Sequence, residues 1–320
     1  MRLLLRYVFF AWLVGSVIAS CTAKKKIAVL QSDTAVFDVP YTRQSDRQKL
    51  DIYLPARAKG ARLPVIIGIH GGAFFSGDKK KESFVYKNGL KRGYAVVCVN
   101  YRLSGEAVFP AQILDVKTAI RWVKAHAREY DLDTARIAVW GTSAGGYLAA
   151  LAGTSGHVRE LEDKTMGYPE HTSKVQAVVD WYGPIDFLTM DSQNEETGMA
   201  PVFGTRHNDS KSPESLLMGA PIQEIPDQVR VSNPERYISK DDPCFYIQHG
   251  LADDHVPWKQ SQVFADKLIK ILGKDKVFLH LVEGVGHATD PFFTEENYAK
   301  SLDFLDKMFR QDSNKHTKRR

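Results

Sequence analysis

Six near-continuous apolar runs constrain this chain more than any other feature: Val65 to Ile69, Ala95 to Val99, Ile137 to Trp140, Ala177 to Trp181, Cys244 to Ile247 and Val277 to Leu281. A strand that is apolar on both faces must be covered on both faces, so runs of this kind belong to a mostly parallel sheet clad by helices. The intervening segments supply those helices. Ile113, Val116, Ile120 and Val123 recur at spacings of three and four, which sets an apolar stripe against the sheet and points Asp115, Lys117, Arg121 and Lys124 away from it. Leu268 and Leu272 share a face of another helix, with Gly273 as its C-cap, and Leu302, Leu305, Met308 and Phe309 do the same in the last one. Ahead of the runs, Lys49 to Pro55 alternates apolar and polar residues, as in an antiparallel edge strand ended by proline. The fold class is therefore α/β: a doubly wound, mostly parallel sheet with helices on both faces.

At 320 residues the chain has material for one large core. Two stretches lack periodicity, Gly153 to Ser173 and Phe187 to Asp242, and both read as irregular excursions. The second, about residues 187–242, is long enough to act as a lid. The formal net charge of +5 is spread along the chain, too diffuse for a nucleic-acid surface. Residues 311–320, ending in Lys315-His316-Thr317-Lys318-Arg319-Arg320, read as a basic disordered tail.

The N-terminus reads as an export signal. Arg2 and Arg6 precede an apolar run from Tyr7 to Ile18, short for a membrane span and the right length for a signal-peptide core. Ile18-Ala19-Ser20-Cys21 resembles a bacterial lipobox. Residues 1–20 are then the signal peptide, Cys21 carries the lipid, and residues 21–44 form a tether and the start of the first strands. Several acyl chains on Cys21 would anchor the protein to membrane lipid, and Thr22 after the cysteine favours the outer membrane or cell surface. An uncleaved signal anchor is the rival reading. Cys98 and Cys244 lie inside apolar runs as small core residues, with no cysteine framework from which to infer a disulfide.

Trp140-Gly141-Thr142-Ser143-Ala144-Gly145-Gly146 links an apolar run to the Ala- and Leu-rich stretch Ala144 to Ala152. Glycines two residues either side of Ser143 permit a sharp strand-to-helix turn that exposes the hydroxyl at the helix N-terminus. A serine hydroxyl is a weak nucleophile and needs a base, a carboxylate to orient that base, and donors for an oxyanion. In an open α/β sheet these groups belong at the carboxyl ends of the strands. The carboxylate candidates are Asp253, then Asp254, then Asp186. The base is His287, placed by Glu283-Gly284-Val285-Gly286-His287 after the last run, with His255 as its nearest rival. His70-Gly71-Gly72-Ala73 follows another run, and its backbone N–H groups, with that of Ala144, suit an oxyanion. No H-E-x-x-H or C-x-x-C spacing occurs, so neither a metal nor another cofactor is expected. Phe74, Phe75, Trp181 and Tyr182 follow strand ends, where they can line a substrate pocket.

Together these segments resemble the α/β-hydrolase superfamily, and within it the hormone-sensitive-lipase-like esterases and related feruloyl and acetyl-xylan carbohydrate esterases. Tyr101-Arg102-Leu103-Ser104, Phe109-Pro110-Ala111-Gln112, Asp180-Trp181-Tyr182-Gly183-Pro184 and Asp242-Pro243-Cys244-Phe245 share in the resemblance, which covers roughly residues 45 to 310. The chain order Ser143, Asp253, His287 matches that of the superfamily. Ala73 departs from the lipase-like branch, which usually has a third glycine there. The resemblance implies Gly72 or Ala73 as donors alongside Ala144. It also implies a serine esterase acting on acetyl or feruloyl groups of plant polysaccharide. The alternatives are a short-chain carboxylesterase or formamidase with the same triad, and a catalytically idle glycan-binding protein.

Overall fold

The computed structural model describes residues 33–56, 62–199 and 206–317, with side chains described as far as residue 310. The signal-peptide and Cys21 readings lie outside the described residues. Within them, one sheet contains β1 (Thr34–Pro40), β2 (Lys49–Leu54), β3 (Leu63–Ile69), β4 (Ala95–Val99), β5 (Leu132–Thr142), β6 (Ala177–Trp181), β7 (Cys244–Gly250) and β8 (Val277–Val282). Their spatial order is β1-β2-β4-β3-β5-β6-β7-β8. β2 runs antiparallel to both β1 and β4, and every pairing from β4 to β8 is parallel. Each of the six apolar runs is one of the parallel strands.

Eight helices accompany the sheet among the described residues: α1 (Ser83–Lys91), α2 (Ala111–Ala125), α3 (Ala144–Thr154), α4 (Met190–Thr197), α5 (Pro213–Met218), α6 (Pro226–Ser232), α7 (Lys259–Leu272) and α8 (Glu295–Thr317). Two hydrophobic cores follow from strand alternation. Val65, Ile67, Val97 and Val99 pack with α2, α3 and α7, whereas Ile66, Val96 and Cys98 pack on the opposite face with α1 and α8. Full burial of each such side chain contributes about 1.5–3 kcal/mol. None of the described helices is long and apolar enough to cross a membrane.

Four expectations are corrected. First, β2 is not the sheet edge, because β1 pairs along it. The polar residue Asp51 on β2 is buried and paired with Lys79 at 3.0 Å rather than solvated. Second, the segment 187–242 is not simply irregular: it carries α4, α5 and α6, each too short to display a helical period. Left-handed Gly198 and Gly219 end α4 and α5, and the Ser212 hydroxyl caps α5 by accepting from the N–H of Ser215 at 3.0 Å. Third, α8 continues to Thr317, through residues read as tail. Its middle turns are docked by Leu302, Leu305, Met308 and Phe309, and extending an existing helix adds one hydrogen bond per residue fixed. Cys98 is buried and Cys244 is only half-buried, and no disulfide joins the two.

The fourth correction concerns α2. Ile113, Val116, Ile120 and Val123 are buried, but so are Asp115, Lys117 and Arg121, which were expected to face solvent. The excursion after α3 supplies the partners of Lys117 and Arg121, whereas Asp115 is met by Arg102 and Gln48. Arg121 pairs with the Glu162 carboxylate and donates to the carbonyls of Asp163 and Gly167 at 2.7 and 3.1 Å. Lys117 donates to the Ser155 carbonyl at 2.7 Å and lies 3.5 Å from Glu162. Burial pushes the Lys117 ammonium down to about 8, opposed by Glu162. Asp115 accepts from Arg102 at 2.7 Å and Gln48 at 2.6 Å. Removing one partner of such a buried group strands the others' charges. Glu162→Ala should therefore lose about 3–5 kcal/mol of stability, measured by urea unfolding against the unaltered protein.

Candidate active site

The carboxyl ends of β3, β5, β7 and β8 converge on one site. β5 ends at Thr142, and Ser143 occupies φ 55°, ψ −124° before α3 begins. Few non-glycine residues adopt that conformation. It is held because the turn is packed backbone against backbone. A Cβ on Gly141 would stand 2.0 Å from the Gly145 carbonyl oxygen, and a Cβ on Gly145 would stand 2.0 Å from that of Ile69 on β3. The Ser143 N–H also donates to the Trp181 carbonyl at 2.9 Å.

The structure brings Ser143, His287 and Asp253 together across 144 residues of sequence. His287 Nε2 lies 3.0 Å from Ser143 Oγ, and His287 Nδ1 lies 2.7 Å from Asp253 Oδ2. The other carboxylate oxygen of Asp253 accepts from the backbone N–H groups of His255 and Val256 at 2.9 and 2.8 Å. Burial opposes ionisation of Asp253, yet hydrogen bonds from His249 and His287 outweigh it and hold the carboxyl well below the usual carboxylate range. The rival acids are elsewhere engaged. Asp254 pairs with its neighbour His255 at 2.8 Å, and Asp186 caps a short 3-10 turn by accepting from Leu188 N–H. His255 does not replace His287 but stacks on it, ring centroids 4.8 Å apart.

The loop after β3 brings Gly72 and Ala73 to the same cavity as Ser143 and Ala144. Ala73 sits at φ 52°, in the region where a glycine would carry no Cβ strain. His70 anchors this loop from beneath. It is fully buried, stacked on Tyr101 at 4.3 Å, and its carbonyl accepts from the Tyr101 hydroxyl at 2.9 Å. Burial pushes its imidazole down to about 4. The N–H of Ala144 lies in the first turn of α3, where no intrahelical acceptor exists.

The cavity measures about 610 Å³. Phe74, Phe75 and Tyr182 line it, the Tyr182 ring edge-on to His287 at 4.8 Å. Trp181 does not. It is wholly buried in the α8-side core, where its indole N–H donates to Ser301 Oγ at 3.1 Å and its ring meets Trp140 and Tyr298. β6 ends at Trp181 and Tyr182 follows it at φ 46°; both rings belong to the α8-side core, and of the two only Tyr182 reaches the cavity wall. Sequence reasoning missed Glu82, Phe84, Phe293 and Tyr298 on the cavity wall. It also missed the part played by His249, whose Nε2 lies 3.2 Å from Asp253 and whose Nδ1 meets Ser261 Oγ at 2.7 Å. The spacing of His249 four residues before Asp253 was the available signal.

A family match decides the relationship: BD-FAE spans residues 50–268, well over half of the chain. The chain belongs to the BD-FAE family. Among curated proteins, this BD-FAE member is similar to the probable carboxylic ester hydrolase LipM of Mycobacterium tuberculosis, 32% identical over 76% of this chain and 54% of that protein. Esterase LipQ of the same organism is 31% identical over 72% of this chain and 52% of that one. The chain thus spans about half the length of these curated relatives. Among solved structures, a bifunctional GH43-CE protein of Bacteroides eggerthii superposes with a TM-score of 0.76 at 35% identity, over 86% of this chain and 35% of that one. A truncated carbohydrate esterase from gut microbiota gives 0.75 at 34% identity, over 87% and 96%. The mostly parallel sheet of this BD-FAE member is that of an α/β-hydrolase fold.

The electrostatics of Asp253 carry a pH signature. Its folded-state carboxyl lies below the ordinary value of 3.8, so the stability it contributes is present above that value and is lost as pH falls through the lower folded one. Asn at this position has no proton to gain. The stability difference between the unaltered protein and Asp253→Asn, followed by urea unfolding, should shrink as pH is lowered from about 6 to about 3.

Proposed function

We propose that this chain is a serine esterase that hydrolyses carboxylic esters through Ser143, His287 and Asp253. The observation that carries this reading is the hydrogen-bonded line from Ser143 through His287 to a buried, ionised Asp253, opening on a cavity beside two loops rich in backbone donors. Neutral His287, with its Nδ1–H donated to Asp253, accepts the Ser143 proton at Nε2 as Oγ attacks the ester carbonyl. The tetrahedral oxyanion is met by the N–H groups of Ala144 and of Gly72 or Ala73. His287 then gives the proton to the departing alkoxide, leaving an acyl-serine and free alcohol. Water, deprotonated by the same imidazole, releases the acid and restores Ser143. The left-handed backbone at Ala73 carries some local strain, as expected of donors that must be fixed before charge develops.

The substrates we assign are acetyl or feruloyl esters on plant polysaccharide. One structural relative is named a carbohydrate esterase and another a bifunctional GH43-CE protein, and the aromatic walls of the cavity suit a sugar ring or an aryl group. We further propose that Cys21 is lipidated after export, tethering the enzyme to a membrane surface where polymers too large to enter a cell can reach it. In cells fed an alkyne fatty acid, label on the protein should vanish in Cys21→Ala; equal labelling of both would refute the anchor.

Ser143→Ala should lose on the order of 10⁴-fold or more in kcat, and Asp253→Asn about 10⁴-fold. A fluorophosphonate should label the unaltered protein at Ser143 and leave Ser143→Ala unlabelled. Near-normal hydrolysis of 4-nitrophenyl acetate by Ser143→Ala would overturn the assignment.

A further inference from the structure

Glu82 is out of keeping with its surroundings. It lies on the short 3-10 turn (Lys79–Glu82) before α1 and lines the same cavity as Ser143. Only 5% of its surface is exposed, yet it has no hydrogen-bond or ion-pair partner among the described residues. Its Cβ and Cγ sit 3.6 Å from where a Gly68 Cβ would stand, so the side chain lies over β3 on the α1 side of the sheet. The charged or titratable neighbours that feel it are Cys98, Tyr101, Tyr182 and Tyr298, none of them cationic. The nearby Lys79 is already committed to Asp38 and Asp51 at 2.8 and 3.0 Å. Burial alone pushes the Glu82 carboxyl up to about 8, which leaves it a neutral acid at pH 7, able to donate through O–H and accept through C=O.

Leaving such a group unpaired is unfavourable, and natural interiors rarely do so without a functional reason. Apolar surface frames it. Phe84, 47% exposed, stacks on Tyr298 at 5.8 Å and meets Phe293 at 6.0 Å, and all three rings line the cavity. A carboxyl beside flat rings suits a flat or ring-shaped group bearing a hydroxyl, which can give and receive one hydrogen bond at once.

We propose that Glu82 is a specificity-determining residue that hydrogen-bonds a hydroxyl of the substrate, selecting ring-bearing hydroxylated esters over esters that lack the hydroxyl. This rests on the esterase reading of Ser143. The hydroxyl has two possible sources, a phenol on the acyl group or a sugar hydroxyl on the alcohol, and the substrate pairs separate them.

The test measures kcat/KM for methyl p-coumarate against methyl cinnamate, and for a xylose acetate against cyclohexyl acetate. The unaltered protein should favour the hydroxylated member of one pair by roughly tenfold to a hundredfold, because the analogue leaves a buried polar group unpaired. The pair that responds identifies the source. Glu82→Leu should abolish that preference, and Glu82→Gln, which still donates and accepts, should keep most of it. Glu82→Met serves as a second removal variant if Glu82→Leu does not fold, and the comparison in the unaltered protein needs no variant at all. Equal rates within both pairs, or a preference that survives removal of the carboxyl, would overturn the proposal. Turnover of 4-nitrophenyl acetate by the unaltered protein checks the esterase reading separately. If no ester is hydrolysed, both fall together.

Discussion

Everything in this molecule is arranged around one backbone-to-backbone contact, the turn from β5 into α3 pressed against the end of β3. There the carbonyl of Ile69 occupies the space a Gly145 side chain would need, and the carbonyl of Gly145 occupies that of Gly141. The contact forces Ser143 into its left-handed conformation and brings the loop carrying Gly72 and Ala73 to the same cavity. Strain at a single residue persists only where the surroundings over-determine it. Here two central parallel strands, buried on both faces, do so.

The groups that complete the site hang on loops rather than strands, and their rigidity comes from polar contacts. Asp253 is tied by two backbone N–H groups and two imidazoles. His249 is in turn fixed by Ser261 on α7, so the docking of that helix reaches the carboxylate through one side chain. On the other flank, the stack of His70 and Tyr101 supports the loop that carries Gly72 and Ala73. A buried hydrogen-bonded network such as that around Asp253 specifies one arrangement, since a slip leaves a charge or donor unpaired. Glu82 stands apart: among the described residues it has no ion-pair partner, whereas Glu214, another buried carboxyl lining the cavity, lies 3.2 Å from the His207 imidazole.

Much of this was legible beforehand. The six apolar runs became the parallel strands, since burial on both faces leaves a pattern no other element shares over so few residues. The glycine-flanked Ser143 and the strand-end positions of Asp253 and His287 were readable because the fold restricts a site to strand ends. The polar face of α2 was misread because periodicity reports which residues are polar and not whether a later segment covers them. Arg121 and Lys117 are charged and buried, an outcome that depends on Glu162 arriving from forty residues downstream. Trp181 and Tyr182 look alike as neighbouring aromatics and both are buried in the α8-side core, but Tyr182, past the end of β6 at φ 46°, also meets His287 at the cavity.

The sequence by itself determined the α/β class, the strands, and three candidate side chains in order along the chain, because apolar periodicity and glycine-rich turns are local properties. Only the tertiary structure decided that Ser143, His287 and Asp253 lie within hydrogen-bond reach, which aromatic rings face the cavity, and that Glu82 is buried there without a partner among the described residues. Those are distances between segments tens to hundreds of residues apart, and they are set by how the sheet twists and how the connecting segments pack over it, which no local pattern encodes.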